Sequence, residues 1–358
     1  MIFIGPSLNF ITGQSLAFNT FYNWYNGEKK VFHFPDYNSI WFKNVFSNVF
    51  FLFSLYKCFI FEKSEFKTIY LTTSRSRFGF VRDFLIILPA KFFSYRIVNH
   101  LHGADFSSFR SEQNKFFKKL IDYTYTCIDD SIVLLESMKE QYSIYPRMRK
   151  HVVSNFYSND IIFDKHSHDY SDKLQLLFLS NIMYSKGIIY LVDAVEELYA
   201  DGYDIFLNIA GSVIPDEYMN FNEINTAFYD SISKSKACCY IGTVVGHEKV
   251  ELLKKSDIFV LPSFYRTEAQ PISVIEAMAS GCAIISTNHN YLPDMVGDNN
   301  GLLVEVKSKQ AIKDAILYYY QNRDKLKEVS KNNYTEAKEK YKLESYITKL
   351  SKIVNGIE

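Results

Sequence analysis

Apolar residues along the chain form short runs of four to seven residues, separated by longer stretches in which apolar positions recur at helical spacing. This alternation is typical of parallel strands joined by crossover helices. The runs in the first half are predicted strands at Met1–Gly5, Val31–Phe34, Thr68–Thr73, Arg96–Leu101, Ser131–Leu135 and His151–Asn155. Those in the second half are Leu174–Ser180, Ile205–Gly211, Cys238–Gly242, Asp257–Pro262, Cys282–Ser286 and Gly301–Val304. The pattern predicts an α/β protein with two doubly wound sheets.

The division between the two sets of strands is predicted from composition. The segment Asp164–Lys173 is polar and loosely patterned, as linkers are. Since single hydrophobic cores stop growing at about 250–300 residues, a chain of 358 residues favours two domains. We predict domains at residues 1–165 and 173–335. Helical spacing within Asn333–Ile357 predicts one long final helix, assigned to residues 336–358, that returns to the first domain.

The charge of the chain is balanced overall but uneven along its length. Lys and Arg number 40, as do Asp and Glu, which argues against a nucleic-acid partner. The stretch Met1–Lys165 carries six more cations than acids, and the remainder carries six fewer. A basic first half suits an anionic partner or a membrane surface, although a solvated face is an equal alternative. The 31 Phe and 27 Tyr against 2 Trp are explained by AT-rich codons more simply than by a binding surface.

Cysteine use and hydropathy bear on localisation. The five cysteines are scattered without a Cys-x-x-Cys pair, so disulfide staples and a structural zinc site are not expected. The first ten residues lack the basic region and cleavage site of a signal peptide, which predicts a cytoplasmic protein. The most apolar window, Val45–Phe61, contains Asn48, Ser54 and Lys57 and is short for a spanning helix. We expect a buried or membrane-facing amphipathic helix there.

The segment Asp257–Ser286 is the most informative for chemistry. A buried strand is followed by a loop with Glu268, a helix start near Pro271, and Glu276 about one turn inside the helix. Free amides at a helix start bind anions. Two carboxylates beside such a site need neutral donors, and the vicinal hydroxyls of a sugar or ribose supply them. A ligand with both phosphates and hydroxyls, a nucleotide sugar, satisfies both requirements.

With Pro262-Ser263 before it and the stretch Glu276–Gly281 after it, this Glu-x7-Glu segment resembles the signature of the retaining glycosyltransferases of family 4, which have the GT-B fold. The resemblance covers almost the whole chain. It implies two Rossmann-like domains facing each other across a cleft, the first for the acceptor and the second for the nucleotide-sugar donor. It also implies that the final helix crosses back to the first domain.

The resemblance assigns a donor site, with some departures from the family pattern. Lys186 matches the phosphate-binding lysine, but Asn181 stands where an arginine is usual, and Pro271 stands where a glycine is usual. Glu268 is expected to bind the sugar hydroxyls and Glu276 the ribose hydroxyls. The implied donor-binding residues are Gly13, Gln14, Asn181, Lys186, Gly242, Glu268, Ala269, Gln270, Pro271, Ile272, Ser273 and Glu276.

In the first domain, the resemblance points to residues after the strand that ends near Leu101. His102 matches a family histidine that reaches the reacting centre, and His100 shares its face of the strand. Glu268, His102 and Lys186 are the expected catalytic residues. His100, Asp105 and Asn155 are expected to contact the acceptor or to support the site, with Asn155 near the domain junction.

The expected reaction is transfer of a hexosyl unit with retention from a UDP- or GDP-linked sugar to a glycan, in bacterial surface polysaccharide (O-antigen or capsule type) synthesis. The acceptor is expected to be linked to a polyprenyl diphosphate, with peripheral contact at the inner face of the membrane. The chain has no Asp-x-Asp, so neither a metal nor another cofactor is expected, and protein donors would meet the charge of the departing diphosphate.

Two other classes of function remain open at this stage. A catalytically silent GT-B protein could bind a nucleotide or a glycan as a regulator, which Asn181 in place of arginine favours slightly. A nicotinamide-dependent oxidoreductase is suggested by the doubly wound pattern alone. The chain lacks a Gly-x-Gly-x-x-Gly after a strand, which argues against the oxidoreductase.

Overall fold

The computed structural model describes residues 1–9, 12–35, 41–62, 65–162, 173–233 and 235–357, without the side chains of 41–43. Contacts divide the chain into two compact units. The first consists of Met1–Ser154 together with Glu344–Glu358, and the second is Asn155–Leu343. The predicted linker, Asp164–Lys173, lies outside the described residues except for Lys173.

The first unit is built on a sheet of six parallel strands in the order β2-β1-β3-β4-β5-β6. The strands are β1 (Ile2–Gly5), β2 (Lys30–His33), β3 (Thr68–Leu71), β4 (Arg96–His100), β5 (Asp130–Val133) and β6 (Arg149–Val152). The helices are α1 (Gly13–Trp24), α2 (Trp41–Phe61), α3 (Arg77–Phe92), α4 (Phe106–Ser111) and α5 (Lys115–Tyr125), with a 3-10 helix at Ser137–Tyr142.

The second unit is built on a sheet of six parallel strands in the order β12-β11-β10-β7-β8-β9. Its strands are β7 (Leu174–Leu179), β8 (Ile205–Ala210), β9 (Cys238–Gly242), β10 (Ile258–Leu261), β11 (Ala283–Thr287) and β12 (Gly301–Val304). Its helices are α6 (Ile188–Ala200), α7 (Phe221–Ile232), α8 (Gly246–Lys255), α9 (Ile272–Ala279), α10 (Lys309–Gln321) and α11 (Arg323–Lys340). Two 3-10 helices lie at Tyr184–Lys186 and Leu292–Asp294.

All twelve predicted strands are present, with ends that differ from the prediction by at most three residues. The central strands are buried on both faces, as β10 shows, and this explains why the apolar runs are continuous rather than alternating. Both sheets have the doubly wound order, in which the chain starts at an interior strand and later reverses direction. The predicted α/β class with two doubly wound sheets is therefore confirmed.

The prediction of one long final helix is wrong. Two helices cover this region, α11 and α12 (Leu343–Asn355), with a break between them. At the break Tyr341 has φ −117° and ψ 25°, its carbonyl accepts a hydrogen bond from the amide of Tyr157, and Lys342 forms a bridge with Tyr157. These backbone contacts within the second unit replace helical hydrogen bonds. Residues from Glu344 onward belong to the first unit.

Aromatic side chains fill much of the first unit's core. The ring of Phe3 on the interior strand β1 contacts those of Phe18, Phe21, Tyr25 and Tyr70 at centroid distances of 5.4–6.1 Å. Most of these contacts are edge-to-face, the arrangement that ring quadrupoles favour. Part of the aromatic excess therefore serves packing.

Candidate active site

Two charged side chains of the second unit meet at the carboxyl ends of its central strands. Lys186, in the turn between β7 and α6, places Nζ 2.5 Å from Oε2 of Glu268, in the loop between β10 and α9. Ser263 donates a hydrogen bond of 2.8 Å to the same carboxylate oxygen. All three residues are buried, and the lysine also lies over the ring of Tyr265. The fold thus brings together two of the three predicted catalytic residues.

Gly187 allows the two loops that carry this ion pair to approach each other. Its φ is +77°, in the left-handed region, and a Cβ atom there would lie 2.2 Å from the carbonyl oxygen of Pro262. The amide of Phe264 donates to the carbonyl of Ser185 at 2.7 Å and joins the loops directly. The Lys-Gly pair in the sequence is therefore a steric requirement for placing Lys186 beside Glu268.

The start of α9 leaves backbone donors available. Pro271 is the N-cap residue, and no side chain caps the helix. The amides of the first turn, including those of Ile272 and Ser273, therefore point out of the helix start without a capping side-chain acceptor. Ala269 and Ile272 are buried beside this turn. Such a helix start can bind a phosphate.

Asn155 supports the loop before α9. Its backbone amide donates to Oε1 of Gln270 at 2.6 Å, and its side-chain amide donates to the backbone carbonyl of Gln270 at 2.8 Å. Both residues are buried. Two hydrogen bonds from one asparagine fix the conformation of Gln270, which lies two residues after Glu268.

Glu276, the second carboxylate of the Glu-x7-Glu pair, is also paired with a lysine. Nζ of Lys249 on α8 lies 2.6 Å from its Oε1. Burial raises the pKa of Glu276, while the charge and hydrogen bond of Lys249 act in the opposite direction. The lysine thereby favours the ionised carboxylate, the form that accepts hydrogen bonds from hydroxyl groups.

Glycines shape the neighbouring strand ends. Gly211, with φ +147°, lies so close to the residues that follow β7 that a Cβ atom there would be 1.9 Å from the carbonyl oxygen of Ser180. Its amide donates to the carbonyl of Gly242 at 2.8 Å. Asn181 is partly exposed in the loop after β7, and a Cβ on Gly211 would also lie close to its backbone. Asn181 and Gly242, the last residue of β9, therefore both neighbour Gly211.

The predicted residues of the first unit form a separate cluster around two histidines. His100 and His102 lie with ring centroids 4.0 Å apart, and Nδ1 of His100 is 2.6 Å from the hydroxyl of Tyr70. Burial lowers the pKa of His100 well below its usual value and that of His102 to about 3. Both nitrogens of His102 lack a hydrogen-bond partner among the described residues. A neutral imidazole with unsatisfied nitrogens is suited to contact a ligand.

Asp105 forms an ion pair with Arg75, whose Nε lies 2.5 Å from Oδ1. The arginine packs across Gly103, where a Cβ atom would lie 2.3 Å from the guanidinium. Arg75 also contributes to the lowered pKa of His102. Gly13 and Gln14 begin α1, whose cap is Thr12 in a capping box with Ser15. Among the described residues, no hydrogen bond, ion pair or ring contact joins Gly13 or Gln14 to the histidines.

Comparison with known proteins identifies the second unit. Residues 159–336 match the family model described as glycosyl transferases group 1. The match covers just under half of the chain and nearly all of the second unit. The matched segment contains Lys186, Glu268 and Glu276 and both of the lysine–carboxylate pairs.

The relatives and solved structures agree with this assignment. A putative teichuronic acid biosynthesis glycosyltransferase of Bacillus subtilis, TuaC, is 27% identical over 148 residues, which are 41% of this chain and 33% of that protein. A putative colanic acid biosynthesis glycosyltransferase of Salmonella typhimurium, WcaL, is 26% identical over 144 residues, which are 39% of this chain and 34% of that protein. The match thus spans about a third of the length of these curated relatives.

The whole chain is similar in fold to HepE of Anabaena, solved in complex with UDP. The TM-score is 0.75, the sequence identity is 12%, and the match covers 99% of each chain. At this identity the likeness concerns the fold alone. Two six-stranded parallel sheets with helices, together with this likeness, assign the chain to the GT-B fold, as predicted.

The sequence did not point to three residues that the structure adds to these clusters. They are Lys249 beside Glu276, Arg75 beside Asp105, and the hydroxyl of Ser263 beside Glu268. Only Ser263 had a local signal, since it follows the buried strand directly in the Pro-Ser pair. Lys249 and Arg75 lie 27 and 30 residues from their partners, and no spacing rule links them.

Proposed function

We propose that this protein is a retaining glycosyltransferase that moves a hexosyl unit from a UDP- or GDP-linked sugar to a glycan acceptor. The observation that carries the proposal is the arrangement around the Glu-x7-Glu segment. Two buried carboxylates, Glu268 and Glu276, each pair with a lysine beside the uncapped start of α9. Cations and free amides suit a diphosphate, and carboxylates suit the hydroxyls of a sugar and a ribose.

Each group has an assigned role. Lys186 and the first amides of α9 stabilise the negative charge that develops on the departing diphosphate. Glu268 accepts hydrogen bonds from the transferred sugar, and Ser263 fixes its orientation. Glu276 accepts hydrogen bonds from the ribose. The neutral imidazole of His102 is proposed to position the donor sugar, as the resemblance implies. Because these protein groups supply positive charge, we propose that transfer requires neither a metal nor another cofactor.

The proposed chemistry is substitution on one face of the sugar. The bond between the anomeric carbon and the phosphate oxygen breaks, and its electron pair stays with the diphosphate. The acceptor oxygen forms a bond to the same face of that carbon. Its proton passes to the departing phosphate oxygen, so charge and atoms balance without a protein nucleophile. Positioning and electrostatic stabilisation then account for most of the rate enhancement.

The comparisons support the substrate classes without testing them. HepE of Anabaena was solved with UDP and with UDP-glucose, which favours a nucleotide-sugar donor here. The names of TuaC and WcaL refer to teichuronic acid and colanic acid synthesis. We therefore propose a role in bacterial surface polysaccharide synthesis, in the cytoplasm, with a growing glycan linked to polyprenyl diphosphate as the acceptor.

Donor turnover by the purified full chain tests this proposal. A thermal-shift screen against UDP-, GDP- and ADP-sugars selects the donor, and release of nucleoside diphosphate is then measured with and without EDTA. We expect release that persists in EDTA and, with an acceptor, a product with the donor's anomeric configuration by NMR. A protein that binds a nucleotide sugar but never turns it over is the silent binding protein instead, and inversion of configuration contradicts the retaining mechanism.

A further inference from the structure

Helix α2 of the first unit is apolar on two opposite faces. Its inner face packs into the core through Phe51, Leu55, Cys58 and Phe59, all of which are buried. The outer face also carries apolar side chains at helical spacing, and Phe46 and Phe50 are each 74% exposed. The exposed apolar residues of α2 are Val45, Phe46, Val49, Phe50, Phe53, Ile60 and Phe61. A surface helix of a soluble protein normally presents polar residues on that side.

Helix α3, which packs against α2, repeats this pattern. Its exposed apolar residues follow one stripe, namely Phe78, Val81, Leu85 and Phe92. Phe78 is 86% exposed and Phe92 is 82% exposed. The hydroxyl of Tyr56 on α2 donates to the backbone carbonyl of Leu85 at 2.7 Å, so the two stripes adjoin. We call these exposed apolar residues of α2 and α3 the aromatic face. Exposed apolar patches of this kind mark interaction sites.

Positive charge lies on the helices that form and adjoin the aromatic face. Among described side chains, helices α2, α3 and α5, which packs on α3, carry seven lysines and arginines, at Lys57, Arg77, Arg82, Lys91, Lys115, Lys118 and Lys119. The same helices carry two acidic residues, and both are paired. Asp83 is buried against Arg82 at 2.8 Å, and Asp122 pairs with Arg110 at 2.5 Å. Asp83 thus offsets Arg82, and Asp129 lies 2.7 Å from Lys91. The cations without an ion pair among the described residues are Lys57, Arg77, Lys115, Lys118 and Lys119.

We propose that the aromatic face and the lysines of α5 form a docking surface for an anionic lipid bilayer. Exposed aromatic and aliphatic side chains enter the boundary between headgroups and acyl chains, while cations contact the phosphates. A second copy of the chain is a poorer occupant because pairing this face with itself would bring the cations of both copies together. The inference extends the proposed function, since a lipid-linked acceptor lies in the bilayer, but it rests on the first unit alone.

The docking mode is peripheral. The window Asn44–Phe61 is, among the described helices, the one whose length and mean hydropathy of 1.4 would suffice to cross a membrane. However, a spanning helix would have to withdraw Leu55, Cys58 and Phe59 from the core beneath it. The helix instead presents its outer face to the bilayer while its inner face remains packed.

Flotation of the full chain with vesicles tests the proposal. The vesicles contain phosphatidylcholine alone or phosphatidylcholine with phosphatidylglycerol. The test variant replaces Phe46, Phe50, Phe78 and Phe92 by Gln, which preserves helix propensity and removes only highly exposed rings. The matched control is Phe221→Gln, at an exposed phenylalanine on α7 of the second unit. A second variant combines Lys115→Gln and Lys119→Gln, at two exposed lysines.

We expect the wild type and Phe221→Gln to float with the anionic vesicles at low salt. The fourfold variant should bind at least tenfold more weakly at unchanged thermal stability. The lysine variant should bind the anionic vesicles more weakly than the wild type does, with no change toward vesicles of phosphatidylcholine alone. Absence of wild-type flotation, equal flotation of the fourfold variant, or a wild-type dimer in solution that this variant dissociates would overturn the proposal. Flotation needs no donor, so it can fail while nucleotide-sugar turnover is present, and the reverse also holds.

Discussion

Lys249 and Glu276 form an ion pair of 2.6 Å between α8 and α9, although the sequence gives no sign that they meet. The carboxylate is buried, and burial alone would favour its protonated form. The lysine opposes this effect, so it favours the ionised form of a carboxylate proposed to accept hydrogen bonds from ribose, although burial keeps the pKa raised. Lys249 thus acts through Glu276 as a positioning residue.

Replacing Lys249 by Met should weaken nucleotide binding in a pH-dependent way. Without the cation, the pKa of Glu276 rises further, so the carboxylate is protonated at a higher pH and accepts fewer hydrogen bonds. We expect about tenfold weaker UDP binding near neutral pH, equivalent to ~1.4 kcal/mol, with recovery as the pH rises. Titration calorimetry across pH measures this. Lys249→Arg should restore affinity, and equal loss in both variants at every pH would contradict the role.

Replacing Glu268 by Gln should reduce turnover far more than donor binding. The amide keeps the shape of the side chain but loses the negative charge that faces Lys186 and the proposed sugar hydroxyls. Removal of one such group from an active site typically costs about 10²–10³ in rate. Steady-state release of nucleoside diphosphate and a separate binding titration with UDP distinguish the two effects. A wild-type rate in this variant would refute the catalytic role of Glu268.

Substitution of Gly187 by Ala should destabilise the second unit and lower activity. The new Cβ would lie 2.2 Å from the carbonyl oxygen of Pro262 at a φ of +77°, so the loops that carry Lys186 and Glu268 must separate. We expect a loss of more than ~2 kcal/mol in the free energy of unfolding, measured by urea titration. Gly202→Ala, at the other end of α6, is the control. Its φ is +92° with no atom near the added Cβ, so it should lose only ~1 kcal/mol.

The two histidines should make the first unit less stable in acid. The pKa of His102 is about 3 in the folded protein, and that of His100 is also well below its usual value. Below the unfolded pKa of about 6.5, the unfolded chain binds protons that the folded chain does not, so stability falls as the pH decreases. At pH 5 the cost is ~2 kcal/mol for His102, and His100 acts in the same direction.

Thermal unfolding of the wild type and of His102→Gln between pH 7 and pH 5 checks this expectation. The variant should lose less stability over that interval because one protonation in the unfolded state is removed. An equal loss of thermal stability in both proteins would show that a group other than His102 causes the pH dependence. The same low pKa predicts that His102 contributes no step to the pH profile of turnover between pH 5 and 8.

Local sequence patterns were sufficient for the strands and for the Glu-x7-Glu loop. Strands such as β10 are continuous apolar runs, and the loop has its proline and both glutamates within nine residues of one another. The long final helix was mispredicted because apolar spacing continues across Tyr341, while the break depends on hydrogen bonds to Tyr157, far away in the chain. Helical spacing alone carries no information about such a distant partner.

Local sequence was enough to predict the two parallel sheets, the succession of their strands along the chain and the residues that resemble a nucleotide-sugar site, because these features depend on neighbouring residues. The folded chain was needed to show which charges meet, as with Lys249 and Glu276, and which apolar stripes remain exposed on α2 and α3. Ion pairs and burial depend on residues that are distant in sequence. An apolar stripe looks the same in the sequence whether it packs against a core or faces outward.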